Sequence, residues 1–235
     1  MYPPAAMRTR HFANTHTGLR RDRNEDAYLA DARIGLFLVL EGVGGEVASA
    51  GASELIWEWI KREEPPLREA IAEAQRLAPS AANSGDMLGR FGALLRGAVQ
   101  DALAEVDPER RGISTTASIA QVVGQQIVVG QVGDSRVYLA RDGQVTRLTR
   151  PAPPEQAVVG LRDLVAVDIL VVGVQPGDRL LLCSDGLHAC LHSDAILTEL
   201  FRLDVRAAAP AAIQHANACG GADNITALFV EFIAD

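Results

Sequence analysis

Acidic residues recur beside glycine or asparagine where apolar, strand-forming runs end. They stand in Asn24-Glu25-Asp26, Glu41-Gly42, Gly133-Asp134-Ser135, Ser184-Asp185-Gly186 and Ala222-Asp223-Asn224. One Asp-Gly after a strand is ordinary turn chemistry, because Asp bonds its own backbone and Gly accepts positive φ. Five such sites on strands that could share one sheet edge ask for more. Carboxylates a few Å apart repel, and protons return to them unless a positive partner lies between. Lys and Arg are scarce near these sites. The natural counter-charge is a hard divalent cation, Mg²⁺ or Mn²⁺, which takes oxygen ligands and keeps several waters. His188 and His192 are spaced i, i+4, but no third ligand completes a zinc pattern, and both read as surface residues.

The elements that must position these residues follow from periodicity. The first third reads strand, strand, helix. Ile34 to Leu40 is a continuous apolar run, as in a buried strand. A glycine cluster follows at Gly42, Gly44 and Gly45, then apolar spacing predicts helices over 52–62, 65–77 and 87–106. The segment 78–86 is small and polar and reads as a flexible loop. From Ser114 to Arg150 the chain is rich in Val, Ile and Thr, with turns at Gly124-Gln125 and Asp142-Gly143, which predicts an antiparallel meander. Val165–Val174 and Asp178–Cys183 continue it. Helices are expected over Asp194–Phe201 and Val205–Ala218, and a last strand over Asn224–Ile233. No linker or repeat divides the chain. The pattern is an α+β fold in one domain, 1–235, with helices segregated from mainly antiparallel strands.

Composition narrows the function classes. The chain has 235 residues, 48% of them apolar, so one large core is within reach. Its formal net charge is −8, which argues against nucleic acid as a partner. No apolar run is long enough to span a bilayer, and the N-terminal residues lack a signal peptide's apolar stretch, so a cytoplasmic protein with no membrane contact is expected. Cys183, Cys190 and Cys219 form no CxxC pair and read as reduced, buried small apolar groups.

The same segments resemble the metal-dependent protein phosphatases of the protein phosphatase 2C type, in compact bacterial form. Gly18-Leu19-Arg20-Arg21-Asp22-Arg23-Asn24-Glu25-Asp26 matches G-x-x-R-x-x-N-E-D. Leu38 to Gly45 stands where the family has V-A-D-G-M-G-G. Ser114-Thr115-Thr116 corresponds to its small-Thr-Thr strand start. Val132-Gly133-Asp134-Ser135-Arg136, Leu182-Cys183-Ser184-Asp185-Gly186-Leu187 and Gly221-Ala222-Asp223-Asn224-Ile225-Thr226 match three further motifs, in order.

The resemblance implies an α-β-β-α sandwich of two mainly antiparallel sheets flanked by helices, with a two-metal Mn²⁺ or Mg²⁺ centre at one end. By motif position, Asp185 and Asp223 would hold the first metal, and Glu25 and the Gly42 carbonyl the second. Glu41 would bridge both. Asp26 would orient water, and Arg21 would grip the substrate phosphate with its planar fork of donors. The implied reaction is attack of a bridging hydroxide on a phosphoserine or phosphothreonine. The implied partners are phosphorylated proteins, substrates of a serine/threonine kinase, and the implied state is a monomer.

The sequence departs from the family in places. Glu41 stands at the bridging position where the family has Asp. It adds one methylene, roughly 1.5 Å of reach, against a ligand tolerance of about ±0.2 Å. Ala189 replaces a common Asp, which leaves Asp134 alone for a third, incomplete metal site. Glu46 replaces a frequent His. The flap segment, about 150–176, is short, and Pro151-Ala152-Pro153-Pro154 follows Thr149-Arg150. Two other readings therefore stand beside an active phosphatase. One is a weak or inactive relative that binds phosphoproteins or regulates a kinase. The other is a serine hydrolase built on Ser135 with an Asp185–His188 pair. A nucleotide-binding reading of Gly42-Val43-Gly44-Gly45 fails at Val47, where the third glycine of that motif would fall.

Overall fold

The computed structural model describes residues 7–43, 114–151 and 168–234. The helices expected over 52–62, 65–77 and 87–106, the loop 78–86, Gly44 to Glu46 and most of the flap lie outside the described residues. Within them ten strands form: β1 (Arg8–His16), β2 (Asp26–Asp31), β3 (Leu36–Val43), β4 (Ser114–Val123), β5 (Gln126–Val132), β6 (Arg136–Arg141), β7 (Gln144–Arg147), β8 (Asp168–Gly173), β9 (Arg179–Cys183) and β10 (Ile225–Ile233). Three helices form as well: α1 (Asp185–His188), α2 (Asp194–Arg202) and α3 (Val205–Ala218).

The strands make two five-stranded sheets, ordered β1-β10-β9-β6-β7 and β2-β3-β4-β5-β8. Every described pairing is antiparallel. The fold is an α+β sandwich. Side-chain alternation explains its layers. Phe37, Val39, Val129, Val137, Leu180, Leu182, Leu228 and Phe232 fill one buried cluster drawn from strands of both sheets. Tyr138, Leu181, Phe229 and Ala227 point the other way and meet Leu197, Leu200, Phe201, Val205 and Ala209 of α2 and α3. Each fully buried Leu or Phe contributes about 1.5–3 kcal/mol. Phe201 packs edge-on against Phe229 with ring centroids 5.5 Å apart. The apolar run in β3 is buried on both faces, from Leu36 to Leu40, as a continuous run requires.

The expected meander is two hairpins in different sheets. β4 pairs with β5, and β6 with β7, but the chain changes sheet between Val132 and Arg136. It has returned to the other sheet by β8 and changes once more between β8 and β9. The break falls at Gly133, at φ +93°, a conformation that glycine adopts without strain. The exchange carries Gly133-Asp134-Ser135 across the gap between the sheets. α2 and α3 fall where the sequence predicts them. Asp204 caps α3 by accepting from the Arg206 N–H at 2.9 Å. The single turn α1 has no sequence signal of its own, being too short for periodicity to register.

Candidate metal centre

One end of the sandwich collects the acidic residues, and strand register does much of the collecting. Asp26, the first residue of β2, lies directly opposite Glu41 of β3, and Glu41 lies opposite Thr116 of β4. Asp185 opens α1 immediately after β9, and Asp223 lies in the loop before β10. Glu25 precedes β2, Gly42 lies opposite Thr115 near the end of β3, and Asp134 is exposed in the crossover. Arg21 lies in the exposed loop between β1 and β2. Every residue expected at the site thus comes from a strand end or an adjoining loop.

Hydroxyls and amides fix these backbones. Asn224 is the main organiser. Its Oδ1 accepts from the Glu25 N–H at 2.8 Å, and its Nδ2 donates to the Thr17 and Arg23 carbonyls at 2.8 and 2.7 Å. The Gly42 N–H donates to the Glu25 carbonyl at 3.2 Å. A relay reaches Asp26: Asn24 Nδ2 donates to Thr15 Oγ1, which contacts Thr226 Oγ1, which donates to Asp26 Oδ2 at 2.7 Å. Because the Thr226 hydrogen is used on Asp26, Thr15 is the donor in the middle step. Thr115 Oγ1 holds the Glu41 carbonyl at 2.8 Å. The roles of Asn224, Thr226, Thr115 and Ser184 are not visible in the pattern of acids. Their signal is that each sits inside one of the motifs that carry the family resemblance.

The electrostatics are those of carboxylates short of counter-charge. Burial, then the neighbouring Asp185 and Asp26, raise the Glu41 carboxyl well above its ordinary range. Burial, then Asp223 and Asp134, raise Asp185. Burial raises Asp26 to about 7, against the lowering effect of its hydroxyl bonds from Thr226 and Ser184. Oδ1 of Asp26 and Oδ1 of Asp185 are buried with no hydrogen-bond partner. An unsatisfied buried carboxylate oxygen is costly unless something binds it. The all-oxygen donor set suits a hard divalent cation.

Among the described residues, however, no three His, Cys, Asp or Glu side chains stand in an arrangement that could hold a metal ion. Two of the expected donors are otherwise engaged. Arg21 Nη2 donates to Asp223 Oδ2 at 2.7 Å. Glu41 Oε2 accepts from Ser135 Oγ at 3.1 Å and from the Asp185 N–H at 3.2 Å. The donors nonetheless fit a divalent ion in chemistry, as an all-oxygen set with two buried carboxylate oxygens that have no hydrogen-bond partner.

Other expectations change. His188 is not a surface residue: both ring nitrogens are buried and unpartnered, and burial pushes it down to about 4. Ser135 is fully buried and bonds Thr116 and Glu41, not a histidine, so the serine-hydrolase arrangement is not built. Only Cys183 is a buried thiol; Cys190 is half-buried and Cys219 exposed.

The family described as protein phosphatase 2C matches residues 19–216. The serine/threonine protein phosphatase PstP of Mycobacterium tuberculosis is 30% identical over 249 residues, which cover 95% of this chain and 45% of that protein. The chain thus spans about half the length of that relative. A crystal structure of the PstP catalytic domain in complex with two manganese ions is 28% identical, with TM-score 0.78, over 97% of this chain and 99% of that one. PppA of Pseudomonas aeruginosa, described as a regulatory component of a T6SS, is 26% identical with TM-score 0.76 over 97% and 100% of the two chains. With the family model matched over most of the chain and a solved structure alike along nearly all of it, the chain belongs to the protein phosphatase 2C family.

Proposed function

We propose that this chain is a metal-dependent protein serine/threonine phosphatase, a single domain across 1–235 acting on phosphorylated proteins in the cytosol. The carrying observation is the collection of Glu25, Asp26, Glu41, Asp185 and Asp223 at one end of the sandwich with Arg21 at its rim. PstP, which is similar along nearly the whole chain, has been crystallised with two manganese ions. Among the described residues no helix is long and apolar enough to cross a membrane.

In this reading Asp185, Asp223 and Glu41 would hold one Mn²⁺ or Mg²⁺, and Glu41, Glu25 and the Gly42 carbonyl would hold the other. Bound cations supply Lewis acidity at the phosphoryl group and make a nearby water acidic. Asp26 holds or takes a proton at Oδ1, because Thr226 occupies Oδ2 and burial places the carboxyl near neutrality. Arg21 is 56% exposed and has five N–H donors, of which Nη2 serves Asp223. The guanidinium therefore faces solvent and the acidic site together, as a phosphate clamp must. Asp134, exposed and without an acidic partner at Ala189, adds at most a weak third site.

A second reading is a weak or inactive phosphatase that binds phosphoproteins. The observation favouring it is the engagement of Glu41 Oε2 by Ser135 and Asp185, which leaves the longer carboxylate turned to protein donors. Hydrolysis of phosphoserine and phosphothreonine peptides, measured against manganese concentration beside calorimetric metal titration, separates the two. Metal-dependent turnover that a chelator abolishes supports the first. Metal or phosphopeptide binding without turnover selects the second.

A further inference from the structure

Outside the acidic end, two thiols and an imidazole converge where α1 meets α3. Cys190 lies just past α1, and its Sγ stands 3.9 Å from the Ala216 carbonyl in the last turn of α3. Cys219 is the residue that ends α3, with its N–H on the His215 carbonyl at 3.0 Å. His215 Nε2 is 3.1 Å from the Cys190 carbonyl. A carbonyl only accepts, so Nε2 carries the hydrogen. The same nitrogen is 3.7 Å from Cys219 Sγ. His215 thus touches both cysteine residues, and burial with the neighbouring Cys219 thiol pushes the Cys190 thiol up to about 11. Neither thiol is in a disulfide.

The environments of the three cysteines differ in a useful way. Cys183 is sealed in β9, Cys190 is half-buried and Cys219 is exposed. A small oxidant therefore reaches Cys219 first and finds a second thiol beside it. That is the arrangement of an attacking and a resolving cysteine. The trio does not form a metal site, since no such group exists among the described residues.

We propose that Cys190 and Cys219 form a peroxide-oxidisable dithiol that closes into an intrachain disulfide, tying the end of α1 to the end of α3. The Cys219 thiolate attacks hydrogen peroxide. An S–O bond forms, the O–O bond breaks and hydroxide leaves, giving a sulfenic acid. The Cys190 thiol then attacks that sulfur, giving up its proton as it does so; the S–S bond forms, the S–O bond breaks and a second hydroxide leaves. The two hydroxides take up the two thiol protons as water. The sulfurs lose two electrons, and the peroxide gains them.

Position gives the bond a consequence. Asp185 opens the segment that leads to Cys190, and Cys219 opens the segment that leads to Asp223 and Asn224. The two segments already touch at their far end, where a Cβ on Gly186 would stand 2.0 Å from the Asn224 carbonyl oxygen. The disulfide adds a second, covalent tie between them.

The test uses the full reduced chain and hydrogen peroxide, and it reads thiol chemistry rather than phosphatase activity, so it stands or falls independently of the proposed reaction. The expected result is a mass loss of two hydrogens per chain, loss of two of the three thiols, and a linked peptide pair containing Cys190 and Cys219. Dithiothreitol reverses all three, and the oxidised chain melts roughly 5 °C or more higher. In Cys190→Ser the same treatment leaves a sulfenic acid on Cys219 that dimedone traps. Over-oxidation of Cys219 in the wild-type chain while Cys190 stays a free thiol overturns the proposal. So does coupling between chains, or a lower melting temperature after oxidation.

Discussion

Arg21 donates from Nη2 to Oδ2 of Asp223 at 2.7 Å, which joins the residue proposed to grip phosphate to a residue proposed to bind metal. The bond raises the Arg21 pKa chiefly through that hydrogen bond and the Asp223 charge. A cation that takes Asp223 competes with Arg21 for it. The pair is partly exposed, at 56% and 33%, so its own worth is small, about 1 kcal/mol.

Removing the guanidinium should therefore separate two effects. Arg21→Ala should tighten manganese binding about fivefold in calorimetry, because about 1 kcal/mol of competition is gone. It should also raise KM for a phosphate ester about tenfold or more, because a charge-assisted, two-pronged contact is lost. Unchanged metal affinity would show that the Arg21–Asp223 pair does not compete with the ion.

Glu41→Asp is the complementary change. Aspartate falls roughly 1.5 Å short of Ser135 Oγ and the Asp185 N–H, which now hold Glu41 Oε2 at 3.1 and 3.2 Å. The shorter carboxylate is released toward the common site. Manganese should bind about tenfold more tightly and turnover should rise. Equal or lower activity after the substitution contradicts the view that Glu41 weakens the centre.

The metal-free chain should lose stability as pH rises. Asp26, Glu41 and Asp185 all have carboxyl pKa values raised by burial. The folded chain thus holds protons that the unfolded chain has already released, so unfolding free energy falls with rising pH across the shifted window. For Asp26 that window runs from the ordinary 3.8 to about 7. Glu231 works oppositely: burial raises it, but its bonds to Arg179 and Arg10 outweigh that and hold it below its ordinary value. Its contribution is lost as pH falls below the ordinary 4.5, outside the pH 5 to 8 comparison. His188, pushed down from 6.5 to about 4, and His11, lowered by burial, also oppose the carboxyls, because the unfolded chain protonates them below 6.5. The three raised carboxyls outweigh the two imidazoles. Thermal melts in chelator should give a higher melting temperature near pH 5 than near pH 8. Saturating manganese should flatten the slope. A melting temperature that climbs over that range in chelator counts against the buried carboxyl cluster.

Gly18→Ala should be costly in a way that Gly143→Ala is not. Gly18 has φ +84°, and a Cβ there would lie 2.1 Å from the Asp223 carbonyl oxygen. Gly143 has φ +78° with open space around it. The second substitution meets only the left-handed backbone penalty, about 1–2 kcal/mol. The first adds a backbone collision on the loop that carries Asp223, and should exceed it by at least about 1 kcal/mol in urea denaturation. Equal costs would mean that the loop shifts freely.

The arrangement of acids, the β-rich middle and the two C-terminal helices are legible in the chain, and Asp194 to Ala218 needs little correction. Local periodicity suffices there, since α2 and α3 bury one face each. The meander misleads because hairpins joined through Gly133-Asp134-Ser135 look alike whether they stay in one sheet or change sheets. His188 misleads because nothing in a single sequence shows that both of its ring nitrogens are buried.

The sequence by itself determined which residues are proposed to carry the chemistry: the carboxylates, their glycine neighbours, Arg21 and the substitution at Glu41 are matters of residue type and order. Only the tertiary structure decided how they meet. The Asp26–Glu41 register, the crossover that brings Ser135 onto Glu41, the hold of Asn224 on Glu25 and the pairing of Arg21 with Asp223 all join residues far apart in the chain. Such contacts depend on which strands share a sheet and on how much water burial removes, and neither is written in local spacing.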